Sequence, residues 1–349
     1  MKIIVDAMGG DNAPEEIVKG ALMAAREHEL EIVLAGRGED ILRCIEKMGL
    51  KDLPRGVEIV NASEVISMED DPSNAIRQKK DSSLTVALHL LRDDRGDALV
   101  SAGSTGAILS GATLIVKRVR GIRRAALAPF IPNSAGGFIL LDCGANVECT
   151  PEYLLQFAFM GSRYAQDILK LDAPRVGLLN NGAERTKGTP LYLQTYELLE
   201  KAGQDGHINF IGNVEAKDAM KGACDVLVSD GFTGNILLKA LEGGVSFVMS
   251  ELKKVYMTNI LTKISALLVK KYVGELKSKM DPDKVGGTIM LGISKPVIKA
   301  HGSSGALAIC SAIRQAAAAA GADTASKLQT DIGHMKIDET EQNLQEKGE

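Results

Sequence analysis

Tryptophan is absent from the 349 residues, and aromatic residues supply only 4% of them. A single-strand nucleic-acid platform needs interleaved aromatics, so this scarcity weighs against one. Neither sign of charge dominates: 41 Lys and Arg against 45 Asp and Glu leave a net of −4, not the balance of a general nucleic-acid binder. The five cysteines (Cys44, Cys143, Cys149, Cys224 and Cys310) form no CxxC pair and no metal-ligand spacing. Their odd number and apolar neighbours predict reduced, mostly buried thiols. Long apolar runs are missing too. Nothing approaches the ~18 residues of a membrane span, and "MKIIVDAMGGD" is too short an apolar run for a signal peptide. A cytoplasmic protein is expected, attached at most to a membrane surface.

Several chemical signatures are also missing. GxxxxGK[ST] and GxGxxG do not occur, so nucleotide hydrolysis and dinucleotide binding lose their best signals. HExxH is absent, and "HGSSGA" (301–306) lacks the GxSxG spacing of a nucleophile elbow. No metal, cofactor or covalent protein nucleophile is therefore expected. Any reaction must use a nucleophile that the protein binds rather than supplies.

What the chain does have is alternation. Short runs rich in Val, Ile and Leu ("KIIVDA", "EIVLAG", "VEIVNA", "ALVSAG", "FILLDCG", "RVGLLN", "NFIGNV" and "DVLVSDG") are separated by segments of helical period such as 14–30 and 151–171. The pattern predicts a largely parallel sheet covered by helices on both faces. Polar, glycine-containing text follows many of the strands: "DAMGGDNAP" (6–14), "SAGSTGA" (101–107), "DCGANVE" (142–148), "NNGAERTKG" (180–188) and "SDGFTGN" (229–235). In an open α/β sheet the carboxyl ends of the strands form the ligand crevice. One such turn is only a turn. Several carrying Asp, Asn, Ser or Thr point to one shared site.

"SAGSTGA" and "HGSSGA" both place hydroxyls at the mouth of an apolar helix, where unpaired N–H groups favour an anion. N-capping by Ser104 or Ser303 explains either motif alone. In "NNGAERTKG", Arg185 suits bidentate phosphate contacts, Lys187 adds a point charge, and Asn180 and Asn181 are amide donors. A solvated loop with a Glu184 ion pair is the plain alternative. "SDGFTGN" offers Asp230 as an N-cap or cation partner and Asn235 as a donor to substrate. His301 alone among five histidines lies in a glycine–serine motif and is the candidate acid or base.

Two basic segments bear on partners. "KRVRGIRR" (117–124) has five basic residues in eight and no acid; it is a solvated face or a dock for an acidic protein or polyanion. Residues 251–279 carry seven lysines and two glutamates, net +5, with Met257, Ile260, Leu261, Ile264, Leu267 and Leu268 at helical spacing. Such a helix lies on an anionic membrane, or packs its stripe into the core or a partner subunit. Residues 1–335 read as a single α/β unit, and 336–349, with five acids and two lysines, as a frayed tail.

Taken in order, "DAMGGDNAP", "SAGSTGA", "LDCGANVE", "LLNNGAERTKGTPL", "FIGNVEAKD", "DVLVSDGFTGNILLK" and "AHGSSGA" resemble the bacterial phosphate acyltransferases of phospholipid synthesis, over residues 1 to about 333. The resemblance implies a three-layer α/β/α, Rossmann-like fold similar to isocitrate and isopropylmalate dehydrogenases and to phosphotransacetylases. It also implies a homodimer, peripheral membrane attachment through an amphipathic helical region, and conversion of acyl-(acyl carrier protein) and inorganic phosphate to acyl phosphate. The product would pass to an acyltransferase acting on glycerol 3-phosphate. On this reading Arg185, Lys187, Asn235 and His301 are catalytic. Asp6, Gly10, Asp11, Ser104, Thr105, Asn146, Asn180, Asn181, Asp230, Thr233, Gly234, Ser303 and Ser304 line the substrate. Lys117, Arg118, Arg120, Arg123 and Arg124 dock the carrier. The rivals are a short-chain phosphotransacetylase using acyl-CoA and a non-catalytic membrane-surface scaffold for lipid enzymes.

Overall fold

A computed structural model describes residues 1–279 and 286–335. All eight apolar runs are strands, and the α/β class holds. The strands divide between two sheets. The first has the order β3-β2-β1-β4-β12-β11-β5, with β1 (Lys2–Asp6), β2 (Glu31–Gly36), β3 (Val57–Asn61), β4 (Ala98–Ser101), β5 (Ala126–Ala128), β11 (Thr288–Leu291) and β12 (Val297–Lys299). Only β11 runs against its neighbours. The second has the order β6-β7-β10-β8-β9, with β6 (Phe130–Ile131), β7 (Phe138–Leu141), β8 (Arg175–Leu179), β9 (Asn209–Val214) and β10 (Val226–Val228). Here β6 alone is antiparallel.

Helices α1 (Glu15–His28), α2 (Gly38–Lys47), α3 (Pro72–Gln78), α4 (Ser83–Arg92) and α5 (Thr105–Gly111) belong to the first sheet. The second carries α6 (Pro151–Leu169), α7 (Pro190–Gln204), α8 (Ala216–Ala219) and α9 (Gly231–Tyr256). After α10 (Ile260–Lys279), the chain returns to the first sheet and adds α11 (Ala306–Ala322) and α12 (Thr324–Asp331). The first sheet is therefore assembled from both ends of the chain. One buried apolar cluster runs through both sheets, from Ile3 and Leu34 to Ile139 and Val176.

The sheets join where β5 passes into β6. Pro129 between them has no N–H to continue a ladder, but its carbonyl accepts from Leu140 N–H at 3.1 Å, and Leu127 O accepts from Cys143 N–H at 3.2 Å. Asp142, fully buried at the end of β7, accepts from the backbone N–H of Leu127 at 2.9 Å and of Asn146 at 2.6 Å. The start of α9 lies directly against this corner. A Cβ on Gly234 would stand 2.0 Å from Asp142 O, and one on Gly231 2.5 Å from Asn146 O. These glycines are explained by close approach.

The basic segment 251–279 is two helices rather than one. Asn259 interrupts it, its Oδ1 accepting from Thr262 N–H while Thr262 Oγ1 accepts from Asn259 N–H, a reciprocal cap that starts α10 anew. The expected tail, 336–349, lies outside the described residues.

Replacing Gly234 with alanine gains up to ~1 kcal/mol of helix propensity but meets a backbone oxygen that cannot move away. We expect a net loss of about 2 kcal/mol in urea unfolding, where a neutral result would overturn the close-packed joint.

Candidate active site

A cavity of about 360 Å³ opens between the two sheets at the carboxyl ends of their strands. Thr105 opens α5 on one wall. Gly144 follows β7; Asn235, Lys239 and Glu242 come from α9; Lys299 and His301 follow β12. Four of the polar motifs thus meet near one space, while "NNGAERTKG" does not.

Each turn is held by its own network. Asp6 is buried and accepts from Ser101 Oγ at 2.6 Å and Met8 N–H at 3.3 Å, with burial pushing its carboxyl upward. It ties two glycine turns together and does not face the cavity. Gly10, at φ +100, allows the first turn to lie on "HGSSGA": a Cβ there would stand 2.9 Å from Gly302 O. Asp11 N–H donates to Gly302 O at 2.8 Å, and Asn12 Nδ2 to Ser303 O at 2.9 Å. Asn146 is equally committed. Its Nδ2 donates to Ala125 O and to Asp142.

Asp230 caps α9, accepting from Thr233 N–H and Thr233 Oγ1, both at 2.8 Å, and from Tyr192 OH at 2.6 Å. It is an N-cap in a closed network, not a free cation partner. Burial and the adjoining carboxylate push the Tyr192 hydroxyl up to about 12. Neither serine caps its helix as the plain alternative had it: α5 has no side-chain cap from Ser104, and the N-cap position of α11 is Gly305. The mouth of α11 is already occupied, because Glu16 accepts from Ala306 N–H at 2.7 Å. Ser304 is buried, with its N–H on His301 O.

The "NNGAERTKG" loop stands apart from the cavity. Arg185 pairs with Glu200 at 2.9 Å, its guanidinium 5.4 Å from the Tyr196 ring centroid. The ion pair expected within the loop is made across to α7 instead. Asn180 Nδ2 donates to Lys187 O at 3.0 Å and Asn213 Oδ1 at 3.1 Å, and its Oδ1 accepts from Asn181 N–H. The Asn180 amide thus shapes the loop, while Asn181 contributes its backbone N–H and keeps an exposed side chain. Lys187 is exposed, without an ion-pair partner among the described residues.

Inside the cavity the polar groups are left open. The Asn235 amide has no hydrogen-bond partner among the described residues. His301 Nδ1 lies 2.9 Å from Ser303 Oγ and accepts from Ser303 N–H at 3.3 Å. A backbone N–H can only donate, so this bond assigns the ring proton of neutral His301 to Nε2. Lys299, unremarked in the sequence, is half-buried with its ammonium on Ala300 O. Burial above all lowers it to about 8, with Asp11 partly offsetting and Lys239 adding to the effect. Lys239 itself pairs with Glu242 at 2.7 Å. Cys143 also lines the cavity, but burial beside Asp142 and Glu242 pushes its thiol far upward and keeps it protonated. The cavity can hold an anion and polarise a carbonyl without a protein nucleophile. One further grouping, Glu27, His28 and Cys310 on α1 and α11, brings ligand atoms within 4.8 Å of one another, which chain spacing could not reveal.

The family model described as "Fatty acid synthesis protein" matches residues 1–327. The chain belongs to this family. It is 45% identical over 332 residues to a "Phosphate acyltransferase" of Thermoanaerobacterium thermosaccharolyticum, covering 95% of this chain and 97% of that one. Among solved structures it is similar to a phosphotransacetylase from Streptococcus pyogenes, at a TM-score of 0.63 and 20% identity over 92% of this chain and 94% of that one. A putative 4-hydroxythreonine-4-phosphate dehydrogenase from Salmonella typhimurium follows at 0.52 and 11%, covering 90% and 98%. At these identities the likeness is one of fold, and the fold is the Rossmann-like α/β class expected.

Lys299 yields a test of the cavity's electrostatics. Its folded value, about 8, lies below the ordinary 10.5, so between these pH values the unfolded chain holds the extra proton and stability rises with pH. Below about pH 8 the buried charge costs up to about 3 kcal/mol. Lys299→Met should therefore be more stable than wild type at pH 7, with the advantage shrinking toward pH 10. Equal melting temperatures at pH 7 would remove the buried-charge assignment.

Proposed function

We propose that this chain is a phosphate acyltransferase that forms acyl phosphate from a long-chain acyl-(acyl carrier protein) and inorganic phosphate, feeding glycerophospholipid synthesis. The observation that carries the reading is an anion-competent cavity with open donors and no activated nucleophile, in a chain of this family. Phosphate brings its own nucleophilic oxygen. The protein needs to hold it against the thioester carbonyl and stabilise the oxyanion. Lys299 and the Thr105 hydroxyl hold phosphate. His301 Nε2–H and the Asn235 amide donate to the oxyanion. The C–O bond to phosphate forms, the C–S bond breaks, and a thiol of ordinary pKa ~8.5 leaves with little need of a strong acid.

Lys187, a cation with no ion-pair partner among the described residues, supports a second phosphate contact from the "NNGAERTKG" loop, whereas Arg185 is committed to Glu200. A second copy of this chain is the partner we assign to the exposed stripe Phe232, Ile236 and Phe247 on α9. The stripe of 251–279 is not packed into the core. Met257, Ile260, Leu261, Ile264, Leu267 and Leu268 are each more than half exposed. With the lysine excess this supports peripheral attachment to an anionic membrane, and no helix among the described residues is long and apolar enough to cross one. Acyl phosphate released there reaches an acyltransferase acting on glycerol 3-phosphate.

The decisive experiment is acyl phosphate detection from purified protein, phosphate and either acyl-carrier or acyl-CoA donor. Carrier-dependent product is expected. Preference for short-chain acyl-CoA would make the protein a phosphotransacetylase, and no product with either would leave the scaffold. In the same assay Lys299→Met should cost at least ~10-fold in kcat/KM for phosphate, and the wild-type KM for phosphate should rise above pH 8. His301→Ala and Asn235→Ala should lower kcat by ~100-fold with KM for phosphate little changed. Unaltered kinetics in all three would remove the cavity from the reaction. Lys187→Ala should cost ~10-fold on phosphate, more than Arg185→Ala. For the membrane, Ile264→Glu with Leu268→Glu should abolish flotation with anionic liposomes while soluble turnover persists; flotation that survives would reject the α10 stripe.

A further inference from the structure

A second cavity, of about 460 Å³, lies further along α5, and three arginines line it: Arg77 from α3, and Arg118 and Arg124 from the basic run. None of the three has an ion-pair or hydrogen-bond partner among the described residues; Arg124 only faces the Tyr153 ring, 5.4 Å from its centroid. Arg123 of the same run, by contrast, is paired with Glu152 at 3.1 Å. The facing acid is Glu148, which leaves the groove net positive.

The backbone delivers this arrangement at a local cost. Residues 112–116 form a single π-helical turn, closed by Lys117 N–H on Ala112 O, and Lys117 then sits at φ +74, a region a lysine rarely adopts. The deviation turns the chain out of α5 immediately before Arg118.

The groove adjoins the cavity between the sheets. Thr105 of that cavity and Leu109 of the groove are one helical turn apart on α5, about 6 Å. Gly144 and Ala145 are consecutive, and Leu127 and Ala125 are two residues apart on adjoining backbone.

We infer that Arg77, Arg118 and Arg124 grip the phosphodiester that ties the thioester arm to its carrier, so that the arm passes along α5 and delivers its acyl group beside Lys299 and His301. This rests on the carrier-dependent reaction proposed above and adds a residue, Arg77, remote in sequence from the basic run. A phosphodiester is a singly charged anion with two free oxygens, which matches guanidinium donors better than ammonium ones. The carrier itself is acidic, so Arg120 and Lys117 outside the groove remain available to its surface.

Free 4′-phosphopantetheine and pantetheine, which differ only in the phosphate, separate this contact from general carrier docking. Calorimetric titration of the full chain with each should show at least 10-fold tighter binding of the phosphorylated thiol. Arg77→Ala and Arg124→Ala should erase that difference, and Arg77→Lys should restore part of it, with KM for inorganic phosphate unchanged throughout. Equal binding of the two thiols by wild type, or a difference that survives in both alanine variants, overturns the proposal. A matching rise in KM for inorganic phosphate also overturns it, because the arginines would then serve the reacting anion. The titration needs no turnover. Failure to make acyl phosphate would therefore count against the proposed reaction and not against the groove.

Discussion

The fold depends on one buried carboxylate. Asp142 closes β7 at the point where the two sheets touch, and its oxygens accept from Leu127 N–H of the first sheet and from Ala145 N–H, Asn146 N–H and Asn146 Nδ2 of its own loop. Burial pushes the carboxyl upward, and these donors pull it back. A helix must then pass so close to this corner that only Gly231 and Gly234 fit. The same contact fixes the start of α9, hence Asn235 and Lys239, relative to Lys299 and His301 on the other sheet. The cavity between the sheets exists because this joint leaves no room for one to slide on the other.

Legibility in the sequence followed chain distance. Runs such as "KIIVDA" and "DVLVSDG" showed themselves because a buried parallel strand is apolar on both faces and stops abruptly at a polar turn. The other strands, β5, β6, β11 and β12, have two to four residues each and lack the separation by helices that marks the rest, since β5 and β6 run on into β7 and β11 into β12. Missing β12 meant missing Lys299, whose importance is that it ends a strand inside a cavity. The division into two sheets was hidden for a related reason, since it is settled by Pro129 and by contacts between Leu127 and Asp142, fifteen residues apart.

The "NNGAERTKG" loop shows the reverse error. Its charges are dense in sequence, but Arg185 finds Glu200 one helix later, and Asn180 finds Asn213 on the next strand. Those partners are made by the βαβ crossover and cannot be read from the loop itself. Arg77 is the complementary case. Nothing near it in the chain suggests a role, and only the packing of α3 on α5 brings it to Arg118 and Arg124.

These cases suggest a physical criterion for separating architecture from chemistry in this protein. Asp6, Asp142 and Asp230 are buried charges whose hydrogen bonds are satisfied by the chain; Asp167 likewise holds Thr324 at 2.9 Å and Lys327 at 2.6 Å. Removing either partner from such a network leaves an unpaired buried group, so all of them serve the fold. Lys299 is different, because one carbonyl does not repay the desolvation that lowers it to about 8. The Asn235 amide, the Nε2 edge of His301 and the guanidiniums of Arg77, Arg118 and Arg124 also lack hydrogen-bond and ion-pair partners among the described residues, but all except the half-buried Arg118 are exposed and therefore solvated. The burial that the chain leaves uncompensated is that of Lys299. An anion of the donor held at the arginines and inorganic phosphate held at Lys299 would supply partners in both cavities, and only the second would also offset a desolvation cost already present in the fold.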